Sequence, residues 1–353
     1  MVSANNKVKI HYFNERKKMK QIITQKPGTL IYRDVPDPVI KKDETLIEVK
    51  SIGICNSDVA PYKGKILDIM PLPFVMGHEF GGIIKKINGK TDNFKIGDKV
   101  SVYPQLNCGS CYYCNNGLEH LCANQSMFGS PKLEGAMSEF IAVPLKNLVK
   151  MSNSFNIEYA GLVEPATVSL HAVGNVKDSN VVVLGTGTIG VMMCPILKQN
   201  NCKFIAMDIE DRALEIAKDL GADLAVNLKN IKRKKIIEDY LSEEKVDVIV
   251  LAYIDKENID FAMDLVRKHG LIILMATPPK SLDFDLYTPF FKELTLRWSI
   301  CYSYKEFEKA ARLIEEGVID AKKIITDTFP FERVKEAFEY KANNFALKVI
   351  IKN

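Results

Sequence analysis

Two textures of hydrophobic and polar positions divide this chain. In the first, apolar runs are short and broken. Residues 28 to 36 predict a strand pair, with turns at Pro27-Gly28 and Pro36-Asp37-Pro38. Residues 45 to 54 alternate like a half-buried strand. Glycines and prolines then punctuate short apolar stretches to about residue 150, which reads as a β-rich, loop-rich half.

The pattern changes after Pro165. Val181–Leu184 is a short, wholly apolar strand running into Gly185, followed by helical text, Phe204–Asp208, and a helix from Asp211 to Leu220. Val246–Leu251, a helix near 257–267 and Leu271–Met275 continue the alternation. Strand and helix in regular succession predict an α/β, doubly wound parallel sheet. The chain ends in mixed structure, with helices near 304–316 and 332–340 and a closing strand over 346–351. Pro195 should kink or loosen its helix, because it removes a backbone donor. Residues 1–18 read as an extension ahead of a native-looking start at Met19: a leader, an upstream start codon or a solvated arm.

Length and composition narrow the class. At 353 residues the chain predicts about two domains, and 47% apolar content supplies two cores. A net charge of +4, with its charges scattered, argues against nucleic acid as a partner. No apolar stretch is long enough to span a bilayer, and the charged N-terminal segment is not followed by an apolar run. A cytoplasmic, reducing location is therefore expected. Of eight cysteines, Cys194, Cys202 and Cys301 are expected to be small core residues.

Four of the others form the sharpest local signal. Cys108, Cys111, Cys114 and Cys122 are spaced C-x2-C-x2-C-x7-C. That spacing suits a tetrahedral thiolate cage around structural zinc. Disulfides are the alternative, but C-x2-C neighbours make awkward partners and a reducing location disfavours them.

Gly185-Thr-Gly187-Thr188-Ile189-Gly190 is G-x-G-x-x-G, placed directly after an apolar strand and opening a helix. Gly185 allows the tight turn, Gly187 lets a pyrophosphate approach the backbone, and Gly190 permits close helix–sheet packing. The helix N-terminus around Thr188 and Ile189 offers free N–H groups to phosphates. Asp208 ends the next strand, eighteen residues past Gly190. Its carboxylate suits ribose hydroxyls and repels a 2′-phosphate, so NAD is expected over NADP. The alternative is a structural turn in a Rossmann-like sheet that binds something else.

Gly77-His78-Glu79, Cys55 in Gly53-Ile-Cys55-Asn-Ser57-Asp58, and Glu164-Pro165 are weak signals singly. Together with the four-cysteine lobe and the glycine loop, their order and spacing resemble the zinc-dependent medium-chain dehydrogenase/reductase family, over nearly the whole chain from Met19. The resemblance implies a discontinuous, β-rich GroES-like catalytic domain, residues 19–165 with 301–353, and an NAD-binding Rossmann domain, 166–300. It implies a second, catalytic zinc held by Cys55, His78 and Glu164, with a position open to water or substrate. Alcohol dehydrogenase uses Cys2His at such a site; Glu at the third position is the pattern of the sorbitol, polyol and butanediol branches. Glu79 would stand behind the metal, able to bind it transiently. Asp58 would orient His78, and Ser57 would meet the reacting oxygen and relay its proton. The implied activity is NAD-dependent oxidation of a secondary alcohol, in a dimer or tetramer of identical chains.

Two departures shape the substrate expectation. Many relatives carry His five residues after the first ligand, where this chain has Ala60. The loop after Asp58, with Lys63 and Lys65, and the segment Phe128-Gly-Ser-Pro-Lys-Leu-Glu-Gly look more like the galactitol-1-phosphate dehydrogenase branch. A polyol or polyol phosphate is the expected small-molecule substrate. The lysines either meet a phosphate as point charges or are ordinary solvated side chains. The alternatives are a 2,3-butanediol or L-threonine dehydrogenase or, in another class, a nucleotide-binding member that has lost the metal chemistry.

Overall fold

The computed structural model describes residues 18–353. The proposed extension at 1–18 thus lies outside the described residues, apart from Lys18. Strands Lys18–Lys26 and Thr29–Pro36 pair antiparallel around the Pro27-Gly28 turn, where Gly28 takes a positive φ.

Two larger sheets follow. In the first, the strand order is Ile325–Pro330, Lys348–Lys352, Glu44–Gly53, Glu79–Asn88, Lys99–Val102, Leu148–Lys150, and Phe140–Pro144 also pairs with Glu44–Gly53. The C-terminal strand thus lies beside an N-terminal one, with Ile350 opposite Gly53. The second sheet is wholly parallel, in the order Leu224–Asn227, Lys203–Asp208, Asn180–Leu184, Val246–Leu251, Val266–Leu274, Thr295–Trp298. Numbered along the chain this is 3-2-1-4-5-6, the Rossmann order. The order reverses between Asn180–Leu184 and Val246–Leu251, which opens a crevice at their carboxyl ends.

The wholly apolar strand text has a direct cause. Val181 and Val183 pack into one core cluster, Val182 and Leu184 into another on the opposite face. A parallel strand covered on both sides has no solvent face to make polar. The first cluster also takes in Tyr103, Val149, Tyr302 and Phe307, so it spans both sheets.

The structure departs from expectation in several places. Residues 28–36, expected as a strand pair, hold one strand, Thr29–Pro36, whose partner is Lys18–Lys26. Helix Thr188–Gln199 runs uninterrupted through Pro195. Its residues Val191, Met192, Met193, Cys194, Ile196 and Leu197 are all buried, and packing holds the turn that Pro195 cannot bond. Residues 56–62, expected as loop, form a short helix, Asn56–Tyr62, capped by Cys55. Asp58 at its third position accepts a hydrogen bond from the Cys55 N–H at 3.1 Å, which starts the helix.

Candidate active site and zinc sites

Sheet register assembles the first cluster. Gly53 lies opposite Glu79, so Cys55, just past the end of its strand, meets His78, just before the start of the next. A Cβ at Gly53 would sit 2.0 Å from a Glu79 carboxylate oxygen, so only glycine fits there. Ligand atoms of Cys55, His78 and Glu79 all lie within 4.8 Å of one another. A thiol, an imidazole and a carboxylate at that separation are a donor set suited to zinc.

The surroundings bear out the fit. His78 is buried, and its Nδ1 lies 3.6 Å from Asp58 Oδ1, leaving Nε2 as the other ring donor atom. That Asp58 oxygen is buried and has no hydrogen-bond partner. Burial favours neutral His78, yet Asp58 and Cys55 raise its pKa well above the ordinary range. The pocket is thus built to hold positive charge. Glu79 is 1% exposed and receives the Lys348 ammonium on both oxygens, at 2.7 and 2.5 Å. Burial would lower the Lys348 pKa, but Glu79 and Cys55 raise it.

Glu164 comes from the first turn of helix Val163–Val173 and stands outside that three-residue set. Its Oε1 accepts from the Tyr302 hydroxyl at 2.5 Å. Burial pushes its carboxyl up to about 7, with His78 opposing and Glu79 adding to the rise. Ser57 is exposed on the helix that Cys55 caps. The Lys63 ammonium donates to the Ala342 carbonyl, and Lys65 is exposed.

Cys194 and Cys202 are core residues, but Cys301 is not. It has a positive φ of 54°. Its thiol pKa is raised by burial and then by Glu164, which places it beside the site. Tyr302, Lys348 and Cys301 are site neighbours that sequence reasoning missed. No local spacing announces them, since Tyr302 and Lys348 lie 138 and 269 residues from the carboxylates they bind.

The cysteine cage closes as its spacing predicts. Sulfur separations are 3.5 Å for Cys111–Cys114 and Cys108–Cys122, 3.9 Å for Cys111–Cys122 and 4.0 Å for Cys108–Cys114. Four sulfurs about 2.3 Å from a tetrahedral zinc stand about 3.8 Å apart. All four cysteines are free, so no disulfide forms. Backbone N–H groups of Ser110 and Cys111 lower the Cys108 thiol to about 5, favouring the thiolate that binds metal.

At the crevice, Gly185 has φ +99°, and a Cβ at Gly190 would lie 2.1 Å from the Gly185 carbonyl oxygen. Gly187 has no atom within 4 Å of its would-be Cβ, so that side of the loop is open. The Thr188 hydroxyl donates to the Leu347 carbonyl, and the Ile189 carbonyl accepts from Ser169 at 2.8 Å. Asp208 accepts the Thr186 N–H at 2.7 Å on one oxygen and the Glu210 N–H at 3.0 Å on the other. It faces a cavity of about 530 Å³ that Gly185, Arg233, Tyr253 and Asn258 also line. Arg233 is already engaged by Glu257, at 2.9 Å, and by the Leu228 carbonyl.

A Rossmann sheet, two zinc-ligand clusters and a mixed β-rich sheet together define a zinc-dependent oxidoreductase. Residues 41–153 match the alcohol dehydrogenase GroES-like domain, and residues 188–316 match the zinc-binding dehydrogenase family. The chain is 28% identical over 342 residues to a sorbitol dehydrogenase of Bacillus subtilis, covering 94% of this chain and 97% of that one. It is similar to the rspB alcohol dehydrogenase of Escherichia coli CFT073 solved with NADH: TM-score 0.88, 29% identity, 95% and 99% of the two chains. Galactitol-1-phosphate dehydrogenase of Escherichia coli aligns with TM-score 0.86 and 27% identity over 95% and 100%. This chain belongs to the zinc-dependent medium-chain dehydrogenases. Its cofactors are a structural zinc at the four-cysteine site, a catalytic zinc at the Cys/His/Glu site, and a nicotinamide dinucleotide. Among the described residues, no helix is long and apolar enough to cross a membrane.

Proposed function

We propose that this enzyme oxidises a secondary alcohol of a polyol, with NAD as the preferred hydride acceptor. The catalytic half is residues 19–165 with 301–353, and the coenzyme half is 166–300. The observation that carries this reading is the convergence of Cys55, His78 and Glu79, with Glu164 nearby, in a chain whose glycine loop donates the Thr186 N–H to the acid Asp208.

Cys55, His78 and Glu164 would hold the catalytic zinc, while Glu79 stays paired with Lys348. When bound, zinc supplies Lewis acidity that lowers the pKa of the substrate hydroxyl, and NAD supplies the hydride acceptor. Asp58 fixes the His78 ring through its Nδ1 side. The Ser57 hydroxyl accepts the proton leaving the substrate oxygen and passes it to solvent, since Ala60 offers no imidazole. The loop of Gly185, Gly187 and Gly190, with the N–H groups at Thr188 and Ile189, would hold the pyrophosphate. Asp208, beside an Arg233 already engaged by Glu257, would accept the ribose hydroxyls.

An unphosphorylated polyol is favoured over its phosphate ester. Lys63 already donates to the Ala342 carbonyl, which leaves exposed Lys65 as the one loop lysine for a phosphate. Polyols, their phosphate esters, 2,3-butanediol and L-threonine, assayed side by side for NADH formation, test the substrate. Turnover of butanediol or threonine above every polyol refutes it. Cys55→Ala should abolish turnover and keep NADH binding. Retained turnover with that zinc absent by metal analysis rules out the site, and a wild type that binds NADH but turns over nothing points to a silent family member.

The enzyme is a homo-oligomer in this reading. Thr295–Trp298 is the outer strand of the parallel sheet; its own Trp298 and, in the segment before it, Leu286, Tyr287, Phe290 and Phe291 stand exposed.

A further inference from the structure

Tyr302 binds Glu164 from within a ring cluster that the cysteine lobe contacts through Asn107 and Glu119. Its hydroxyl donates to Glu164 Oε1 at 2.5 Å, and both side chains are more than nine-tenths buried. The ring packs edge-on against Tyr103 at 5.9 Å and stacks on Phe307 at 6.2 Å, so it has no room to swing away. The Tyr302 carbonyl accepts from the Tyr103 hydroxyl at 3.0 Å, and that hydroxyl in turn accepts from Asn107 Nδ2 at 3.3 Å. Two residues on, the Tyr304 N–H donates to Glu119 Oε1 at 3.2 Å. Asn107 directly precedes Cys108, and Glu119 lies between Cys114 and Cys122. The inner edge of the cage lobe therefore holds the backbone that follows Tyr302, through Tyr103 at the Tyr302 carbonyl and directly at the Tyr304 N–H.

We propose that Tyr302 is a positioning residue for Glu164, and that the cysteine lobe sets its place through Asn107–Tyr103 and Glu119. The proposal rests on the reading of Glu164 as a ligand of the catalytic zinc. One Glu164 oxygen is occupied by the phenol, which fixes the carboxylate plane and leaves the other oxygen for the metal. A carboxylate without that donor is free to rotate about its own axis, and its alignment toward His78 is lost. The structural zinc would then do more than hold a loop, because its lobe carries the two clamps that aim a catalytic ligand.

The test uses the holoenzyme with both zincs and a chelator titration that counts zinc per chain. Tyr302→Phe removes one oxygen and keeps the ring. It should release the catalytic zinc at about 10–100-fold lower chelator strength, the usual effect of losing a ligand's hydrogen-bond partner. The cage zinc and NADH affinity should stay unchanged. With Co(II) in the catalytic site, the visible band should shift in Tyr302→Phe, which a purely packing role for the phenol would not cause. Glu119→Met, with four cysteines intact, should weaken the catalytic zinc in the same direction and by less. If Tyr302→Phe fails to fold, Tyr103→Phe, which frees the Tyr302 carbonyl, is read in its place. Wild-type zinc affinity and an unshifted cobalt band in Tyr302→Phe, beside an Glu164→Gln variant that loses the metal, overturn the positioning role. An unaltered Glu119→Met overturns the link to the lobe. Zinc retained at wild-type affinity in Glu164→Gln overturns the ligand reading instead.

Discussion

Lys348 places its ammonium 2.7 and 2.5 Å from the two carboxylate oxygens of Glu79, both residues almost fully buried. Strand Lys348–Lys352 carries it there from the C-terminus by pairing beside Gly53. Breaking such a pair from one side leaves a buried charge without its partner, at a cost of about 3–5 kcal/mol. Lys348→Met should lower the unfolding midpoint in urea accordingly. Lys348→Met combined with Glu79→Gln should recover much of the loss, because no net charge is then stranded. Equal midpoints for wild type and Lys348→Met would show the pair to be energetically idle.

The cage should respond differently from the catalytic site. Cys111→Ser leaves three thiolates, which no longer complete a tetrahedral shell. Thermal stability should fall and one zinc per chain should be lost, since the metal is the lobe's internal crosslink. A folded variant that keeps its melting temperature and both zincs would contradict the assignment.

Asp208 serves two ends at once. It accepts the Thr186 N–H of the glycine loop and faces the nucleotide cavity. Asp208→Ser should weaken NAD by about 1.5–3 kcal/mol, the worth of a charge-assisted hydrogen bond, and narrow the NAD/NADP ratio mainly from the NAD side. The measurement is kcat/KM for each coenzyme. Equal values in the unmodified enzyme would refute the preference.

Acid should be felt at Glu306. Burial alone would raise its carboxyl, but hydrogen bonds from His171 and Ser303 outweigh it and bring the pKa down to about 2, from an ordinary 4.5. A depressed carboxyl stabilises the fold above its unfolded pKa and loses that contribution as pH falls through its folded pKa. Wild type should therefore exceed Glu306→Gln in stability by at most about 3 kcal/mol at pH 6, less as solvent screens the part-exposed carboxylate, and the gap should close between about pH 4.5 and 2. Denaturation midpoints of the two proteins across that range check it. A gap that stays constant with pH would mean that packing, not charge, accounts for Glu306.

Self-association should depend on the exposed aromatic patch beside Thr295–Trp298. Phe290, 77% exposed, is the point of attack. Phe290→Asp puts a charge into any contact made there and should shift sedimentation toward the monomer. A wild type that sediments as a monomer, or a variant unchanged from an oligomeric wild type, would place any interface elsewhere.

Much of this protein was decided within short stretches of sequence. The four cysteines fall in fifteen residues, so their sulfurs converge whatever the rest of the chain does. The strand–glycine loop–helix unit is likewise local, and the apolar text of Val181–Leu184 follows from burial on both faces. Cys55 and His78 were weak signals singly and became legible only through the order and spacing they share with a known family. Other features belong to tertiary structure alone. Nothing near Glu79 specifies Lys348, and nothing near Glu164 specifies Tyr302; sheet register and a shared aromatic core bring them together across most of the chain. Cys301 resembled a core cysteine until packing placed it beside Glu164. Asn56–Tyr62 read as loop because its start depends on Asp58 turning back to the Cys55 N–H, and Lys63 was free on paper but spends its ammonium on the Ala342 carbonyl. A motif written in consecutive residues fixes its own geometry, whereas a buried charge or hydroxyl takes its partner from whichever distant element the completed fold presses against it.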